Sequence, residues 1–319
     1  MKRYKNLYQQ IIDPTNLQVA DYNASKGKSK QPGVIHHKLY QDANLEALHA
    51  ILVNKCYKTS KYATFKVYEP KEREVYKLPY YPDRIMHHAI MNVLEPIFTK
   101  LFTADTYSCI KGRGIHGALK SVKKALIDVR GTQYCLKMDV AKFYPSVDHN
   151  TLKTLLMRKF KDADLLSLLN EIIDSAPGLP IGNYLSQYFA NFYLTGFDHW
   201  IKEQMKAKYY FRYTDDLVIL SGDKKYLHQL RYHITEYLQE NLQLSVKKNY
   251  QVFPVAARGI DFVGYRFFHT HTLLRKSIKQ NYARMMASNP TPEAMAAYKG
   301  WTAHCNSYNL TKKLSCETI

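Results

Sequence analysis

Apolar residues recur at helical spacing through "DANLEALHAILVN" (Asp42 to Asn54). The residues before it also read as helical, around a flexible basic loop, "ASKGKSKQPG" (Ala24 to Gly33). The period then changes. "KYATFKVYEPKEREVYKLPYYP" alternates as two strands about a Pro-Lys-Glu turn. Helical spacing returns in "DRIMHHAIMNVLEPIF", with Asp83 as its expected N-cap, and in a helix at "IKGRGIHGALKSVKKAL". "YCLKMDVAKFYPSVDH" begins as a buried strand and ends at Pro145, and two helices follow, "HNTLKTLLMRKF" and "DADLLSLLNEIIDSA". "GLPIGNYLSQYFANFYLTGFDHWIKEQM" leaves a Pro-Gly loop to become one long helix. "YYFRYTDDLVILSG" predicts a strand hairpin, "KYLHQLRYHITEYLQENL" an amphipathic helix, and "LSVKKNYQVFPV" and "GIDFVGYRFF" further strands. From about Leu273 a small basic helical module is expected. This irregular alternation fits α+β better than a doubly wound sheet.

One position breaks the apolar pattern. In "FRYTDDLVIL", Asp215 and Asp216 sit side by side between two strand-like runs. Adjacent carboxylates repel, and without compensation one pKa would rise. A divalent cation removes that penalty, and Mg²⁺ prefers oxygen ligands. For the dipeptide alone, two exposed turn residues would be the plainer reading. Asp139 changes the balance, because it stands where another apolar strand stops. Three carboxylates from two neighbouring strands could hold two metal ions about 3.5–4 Å apart, the arrangement for in-line phosphoryl transfer.

Composition narrows the partner. The 319 residues hold 46 Lys and Arg against 27 Asp and Glu, a net charge of +19, which points to a polyanion such as nucleic acid. Interleaved Tyr and Phe suit base stacking, though many must simply be core. The five cysteines are odd in number and scattered, with no CxxC pair, which argues against a disulfide framework; His304-Cys305 lacks a second ligand pair for zinc. The polar start "MKRYKNLYQQ" and the lack of a long apolar run predict no signal peptide, no membrane span and a cytoplasmic location.

Together these stretches resemble a reverse transcriptase, in that family's order and over nearly the whole chain. "YTDD" resembles the Y-x-D-D box and "DVAKFYPSVDH" the first palm motif. "GLPIGNYLSQYFANFYL" resembles the motif between them. "EPKEREVYKLPYYPDRIMHHAI" and "YSCIKGRGIHGA" resemble fingers motifs, and "GIDFVGYRFF" the primer grip. Most relatives carry Q-G-x-x-x-S-P in the middle motif; here Ile181 to Gln187 read I-G-x-x-x-S-Q, which resembles the enzymes of diversity-generating retroelements. The short length and the N-terminal "NLYQQIIDPTNLQVA" resemble them too, as does the lack of protease, RNase H, maturase and endonuclease domains.

The resemblance implies a right-hand polymerase of fingers, palm and thumb with an antiparallel palm sheet. The expected parts are an N-terminal helical extension (1–55), fingers (56–134), palm (135–270, with inserted helices 149–176) and thumb (271–319). Asp139, Asp215 and Asp216, with the Val140 backbone, would bind two Mg²⁺ ions, for which Mn²⁺ can substitute. Tyr144 matches the steric gate that selects dNTPs, with Phe143 beside it. Lys71 and Arg73 match cations gripping the triphosphate. Ile181 replaces a glutamine beside the nascent pair, an apolar change consistent with loosened base selection. Gly182 would permit close backbone approach to the template pair, and Ser186 and Gln187 would contact template or nucleotide, or cap the helix. Either Lys247 or Lys248 would be the cation near the pyrophosphate. Arg113, Tyr213, Gly264 and Tyr265 would contact primer or template. Adjacent His87 and His88 do not share a helix face, so they read as template-side contacts or core and not as a metal pair.

In that family a template-repeat RNA is copied with misincorporation opposite adenine. Expected partners are therefore template RNA, cDNA or primer, dNTPs and a small basic accessory protein multimer, with no membrane. A related stand-alone bacterial reverse transcriptase in phage defence is the nearest alternative. A catalytically silent RNA-binding module is the alternative from another class, and the intact aspartates weigh against it.

Overall fold

The structure is a computed structural model and describes residues 3–68, 72–288 and 290–316. Helices α1 (Tyr8–Ile12), α2 (Pro14–Ser25), α3 (Pro32–Leu39) and α4 (Gln41–Val53) come first, then a hairpin of β1 (Ala63–Val67) and β2 (Arg73–Lys77). Helices α5 (Ile85–Leu101) and α6 (Gly114–Ala125) lead to β3 (Tyr134–Asp139). After it run α7 (His149–Lys159), α8 (Ala163–Asp174), α9 (Tyr184–Tyr193) and α10 (Thr195–Glu203). Strands β4 (Tyr209–Tyr213) and β5 (Asp216–Ser221) precede α11 (Lys224–Leu242). The remaining elements are β6 (Gln251–Pro254), α12 (Val255–Arg258), β7 (Ile260–Phe262), β8 (Tyr265–Phe267), β9 (Thr272–Leu274), α13 (Lys276–Met286), α14 (Pro292–Thr302) and α15 (Tyr308–Cys316).

The chain divides into two compact units that interleave in sequence. The first comprises 1–103, 141–199 and 237–245. Its centre is α5, which buries Ile85, Met86, Ala89, Ile90, Leu94 and Phe98 at the spacing the sequence predicts. Phe98 meets the rings of Phe160, Phe189 and Phe192. Asp83 does not cap α5, whose first residue follows Arg84 with no side-chain cap. The Asp83 carboxylate is buried and accepts from the Tyr57 hydroxyl (2.8 Å) and the Ser60 amide (3.0 Å), so tertiary partners replace the helix end. The expected single helix after Gly182 is two helices, α9 and α10. The Thr195 hydroxyl donates to the Asn191 carbonyl (3.0 Å), a local bond that competes with helix propagation.

The second unit comprises 104–140, 200–236 and 246–319. It holds an antiparallel four-stranded sheet in the order β4-β5-β3-β6 and a three-stranded sheet β7-β8-β9. One core joins them: Leu119 and Val122 of α6 pack with Phe211, Val218, Phe253, Phe262, Tyr265 and Phe267. Of "LSVKK", only Val246 pairs, bridging to Val140; the strand proper begins at Gln251.

Candidate active site

Three carboxylates meet at one end of the four-stranded sheet. Strand β3 ends at Asp139, and its antiparallel register sets Asp139 opposite Asp216, the first residue of β5. Strand β4 ends at Tyr213, also paired with Asp216, so Thr214 and Asp215 form the turn between them. Thr214 has φ +57°, unusual for a β-branched residue. Its hydroxyl donates to Ser108 Oγ (2.7 Å), and its carbonyl accepts from the fully buried Arg212 guanidinium (3.1 Å). Backbone bonds between Arg212 and the 105–107 segment fasten the same turn. Such strain persists because the surroundings over-determine it.

The neighbouring backbone is equally pinned. The Val140 amide donates to the Asp215 carbonyl (3.0 Å), and the Lys247 amide donates to the Asp139 carbonyl (2.9 Å). Lys247 Nζ then lies 3.4 Å from Asp139 Oδ1 and 3.9 Å from Asp215 Oδ2. Of the two lysines left open by the sequence, Lys247 faces the carboxylates; Lys248 is exposed on the next turn. Asp216 is held separately. Lys137 Nζ donates to both its oxygens (2.8 and 2.9 Å). Burial pushes the Asp216 carboxyl up to about 6; Lys137 opposes the shift, and the charges of Asp139 and Asp215 add to it.

Among the described residues no three His, Cys, Asp or Glu side chains form a ready metal cage. The donor chemistry nonetheless fits a hard divalent cation. All three groups are carboxylates at adjoining strand ends, and the Lys247 ammonium already stands at cation distance from two of them.

The residues expected on the nucleotide side lie mostly in the first unit. Lys71 falls outside the described residues. Arg73 is exposed at the start of β2. Phe143 is buried and Tyr144 half-buried in a short turn, their rings edge to face at 5.8 Å. The Tyr144 carbonyl accepts from the Leu179 amide (2.8 Å). A Cβ on Gly178 (φ +58°) would come within 2.6 Å of that carbonyl. Ile181 is half-buried, and its carbonyl accepts from the Tyr76 amide (2.7 Å). Gly182 has φ +115°, and a Cβ there would clash with the Tyr76 carbonyl. The close backbone approach seen at Gly182 is thus made by the β1–β2 hairpin. Ser186 is buried inside α9 and Gln187 exposed on it; neither caps the helix, whose N-cap is Asn183.

His87 is buried, and His88 stacks on Tyr184 with ring centroids 4.7 Å apart. Burial pushes these imidazoles down to about 3 and about 4, with nearby cations adding to both shifts. A cavity of about 230 Å³ lies beside them, lined also by Tyr76, Arg84 and Gly182.

In the second unit, the Arg113 guanidinium donates to the Thr106 carbonyl (3.0 Å). Tyr213 packs against the core. Gly264 (φ +89°) admits Trp301, whose ring would be 2.5 Å from an added Cβ, and the buried Tyr265 donates its hydroxyl to the Trp301 carbonyl (3.1 Å). Those two residues therefore brace the β7–β8 turn against α14.

Sequence reading missed Lys137 and Gly178. "KMD" did place a cation on the same strand face as Asp139, two residues away, a signal that alternation makes readable. Gly178 left only the Pro-Gly loop as a hint.

Residues 69–267 match the family described as Reverse transcriptase (RNA-dependent DNA polymerase). The chain belongs to that family, and its fold is of the α+β, right-hand class, with an antiparallel palm sheet. Among its relatives, Protein YkfC of Escherichia coli (strain K12) is 24% identical over 277 residues, covering 72% of this chain and 71% of that protein. Group II intron-encoded protein LtrA of Lactococcus lactis subsp. cremoris is 26% identical over 143 residues, covering 41% of this chain and 23% of LtrA. The solved apo telomerase from Candida tropicalis shares the fold with a TM-score of 0.50 at 11% identity, covering 66% of this chain and 48% of that one. This chain therefore spans less than half of LtrA and of the telomerase chain. No helix among the described residues is long and apolar enough to cross a membrane.

Proposed function

We propose that this chain extends a DNA primer on an RNA template using Asp139, Asp215 and Asp216, and that it serves a diversity-generating retroelement. One observation carries the chemistry: the β3–β5 register that sets Asp139 opposite Asp216, with Asp215 in the adjoining turn. Those carboxylates, with the Val140 backbone, would hold two Mg²⁺ ions or Mn²⁺ in their place. When bound, the metal polarises the primer hydroxyl and offsets the charge of the triphosphate. Lys247 is the cation poised to protonate or neutralise the leaving pyrophosphate. Arg73, with Lys71, would grip the triphosphate, and the Tyr144 ring, backed by Phe143, would exclude a ribose 2′-hydroxyl. Gln187, Arg113 and Tyr213 would face the nucleic acid. The exposed Lys276, Lys279 and Arg284 of α13 suit salt-dependent contact with a duplex backbone.

The retroelement reading rests on the I-G-x-x-x-S-Q form of the middle motif. Ile181 puts a branched apolar side chain where relatives have glutamine, which removes a polar contact to the nascent pair and favours errors opposite adenine. Template-repeat RNA and a small basic accessory multimer are the partners this role requires.

The test is primer extension by the full chain on a mixed-base RNA, with dNTPs and Mg²⁺, followed by cDNA sequencing; the Asp215→Asn/Asp216→Asn double variant is the blank. Incorporation above the blank, with errors clustered opposite template adenine, is expected. A flat error spectrum overturns the retroelement reading and leaves the polymerase intact. Wild-type synthesis no higher than the blank, with partner RNA and protein added, overturns both.

A further inference from the structure

We infer that Lys137 is a positioning residue that holds Asp216 in place and ties it to the β7–β8 hairpin. The inference rests on the reading of Asp216 as a metal-binding carboxylate. Lys137 and Asp139 are two apart on β3, so they share a sheet face, and Lys137 lies diagonally from Asp216 across the β3–β5 ladder. An ammonium has three hydrogens. Here Nζ has three acceptors: Asp216 Oδ1 at 2.8 Å, Asp216 Oδ2 at 2.9 Å and the Asp261 carbonyl at 2.6 Å.

The far end of this link is anchored as well. Arg275 binds Asp261 Oδ1 through Nε and Nη2, both at 2.6 Å, and the Arg275 amide donates to the Gly264 carbonyl (3.0 Å). Arg275 directly precedes α13, so the contacts run from Asp216 through Lys137 to Asp261 and the start of that helix. Arg275 is thus engaged inside the protein, unlike its exposed neighbours on α13.

Two consequences follow. Lys137 aligns the Asp216 carboxylate by gripping both oxygens, which Lys247 does not do. It also offsets one of three clustered negative charges, so it weakens the field that draws a cation to Asp139 and Asp215. Removing it should misplace Asp216 and leave the cluster more negative. Turnover then falls while cation binding tightens, a split that general destabilisation would not produce.

The experiment compares wild type with Lys137→Met in the full chain. Mn²⁺ binding is titrated by electron paramagnetic resonance, and kcat is measured by primer extension at saturating metal. Lys137→Gln is read in the same way if the Met variant does not fold, and Lys137→Arg is the conservative rescue. We expect kcat to fall about 100-fold, as for a reacting group misplaced by ~1 Å, with Mn²⁺ binding several-fold tighter. Lys137→Arg should restore wild-type Mn²⁺ affinity and part of kcat. Unchanged kcat, or lowered kcat with unchanged or weaker Mn²⁺ binding, overturns the inference. Asp216→Asn separates the two failures. If it alters neither Mn²⁺ binding nor turnover, the reading of Asp216 falls, and the inference with it; if it abolishes both while Lys137→Met is silent, only the inference falls.

Discussion

The carboxylate end of the palm sheet and the Ile181–Gly182 loop are built on opposite principles. At the sheet, ladder pairing does most of the work: Asp139 and Asp216 are opposite because β3 and β5 are in register. Charge makes the site, and two lysines temper it. At the loop, fit does the work. Gly182 exists there because the Tyr76 carbonyl leaves no room for a Cβ, and the Ile181 carbonyl is taken by the Tyr76 amide. Damage at the sheet should stop chemistry while sparing the fold. Damage at the loop should strain the fold first and alter chemistry through it.

The largest expected effect tests the charged end. Lys247→Met should lower kcat about 100-fold, the low end for loss of a general acid, with the melting temperature near wild type. Lys248→Met should leave kcat within a small factor, since that side chain is exposed on the next turn. Equal effects of the two in single-turnover assays would remove Lys247 from its assigned place.

Next comes the loop. Gly182→Ala should destabilise the protein by about 1–3 kcal/mol through a strained positive φ and a backbone clash, read as a lower denaturation midpoint. Retained stability would mean that the β1–β2 hairpin yields readily.

Acid separates the regions by sign. Asp216 has its folded pKa raised to about 6 from 3.8, so its contribution is fully present below 3.8 and is lost as pH rises through about 6. His87 and His88 have folded pKa values lowered to about 3 and about 4 from 6.5, so theirs is present above 6.5 and lost as pH falls toward those values. Metal-free melts from pH 7 to 4.5 should therefore show Asp216→Asn losing more stability on acidification than wild type, and His87→Phe losing less. Parallel curves for all three proteins would contradict the assigned shifts.

The smallest effect on stability is expected at Ile181. Ile181→Gln should shift stability by less than about 1 kcal/mol, yet reduce errors opposite adenine. An unchanged error spectrum would sink the link between this residue and mutagenic copying.

Much of this was legible in the residues. Alternation marks β1 and β2, apolar strand-like runs mark β3 to β5, and helical periodicity marks α4, α5, α6 and α11. The Asp-Asp break in an apolar hairpin, with Asp139 at another strand end, pointed to the carboxylate site before any pairing was known. Signals that depend on distant partners were not legible. Asp83 looked like a cap because its neighbours are helical, but Tyr57 and Ser60 claim its carboxylate. Lys247 and Lys248 were indistinguishable until the bridge between Val140 and Val246 turned one of them toward the aspartates.

Local pattern was enough to place most strands and helices, the excess of positive charge, and the carboxylates that break the apolar runs. Local period and charge are properties of neighbours in the chain, so they survive without a fold. Folding is what sets Asp139 opposite Asp216, puts Lys137 on one carboxylate and Lys247 by the other two, and presses Gly182 against Tyr76. Those facts depend on strand register and backbone approach between residues tens of positions apart, and a register shift of a single residue would turn each side chain to the other face.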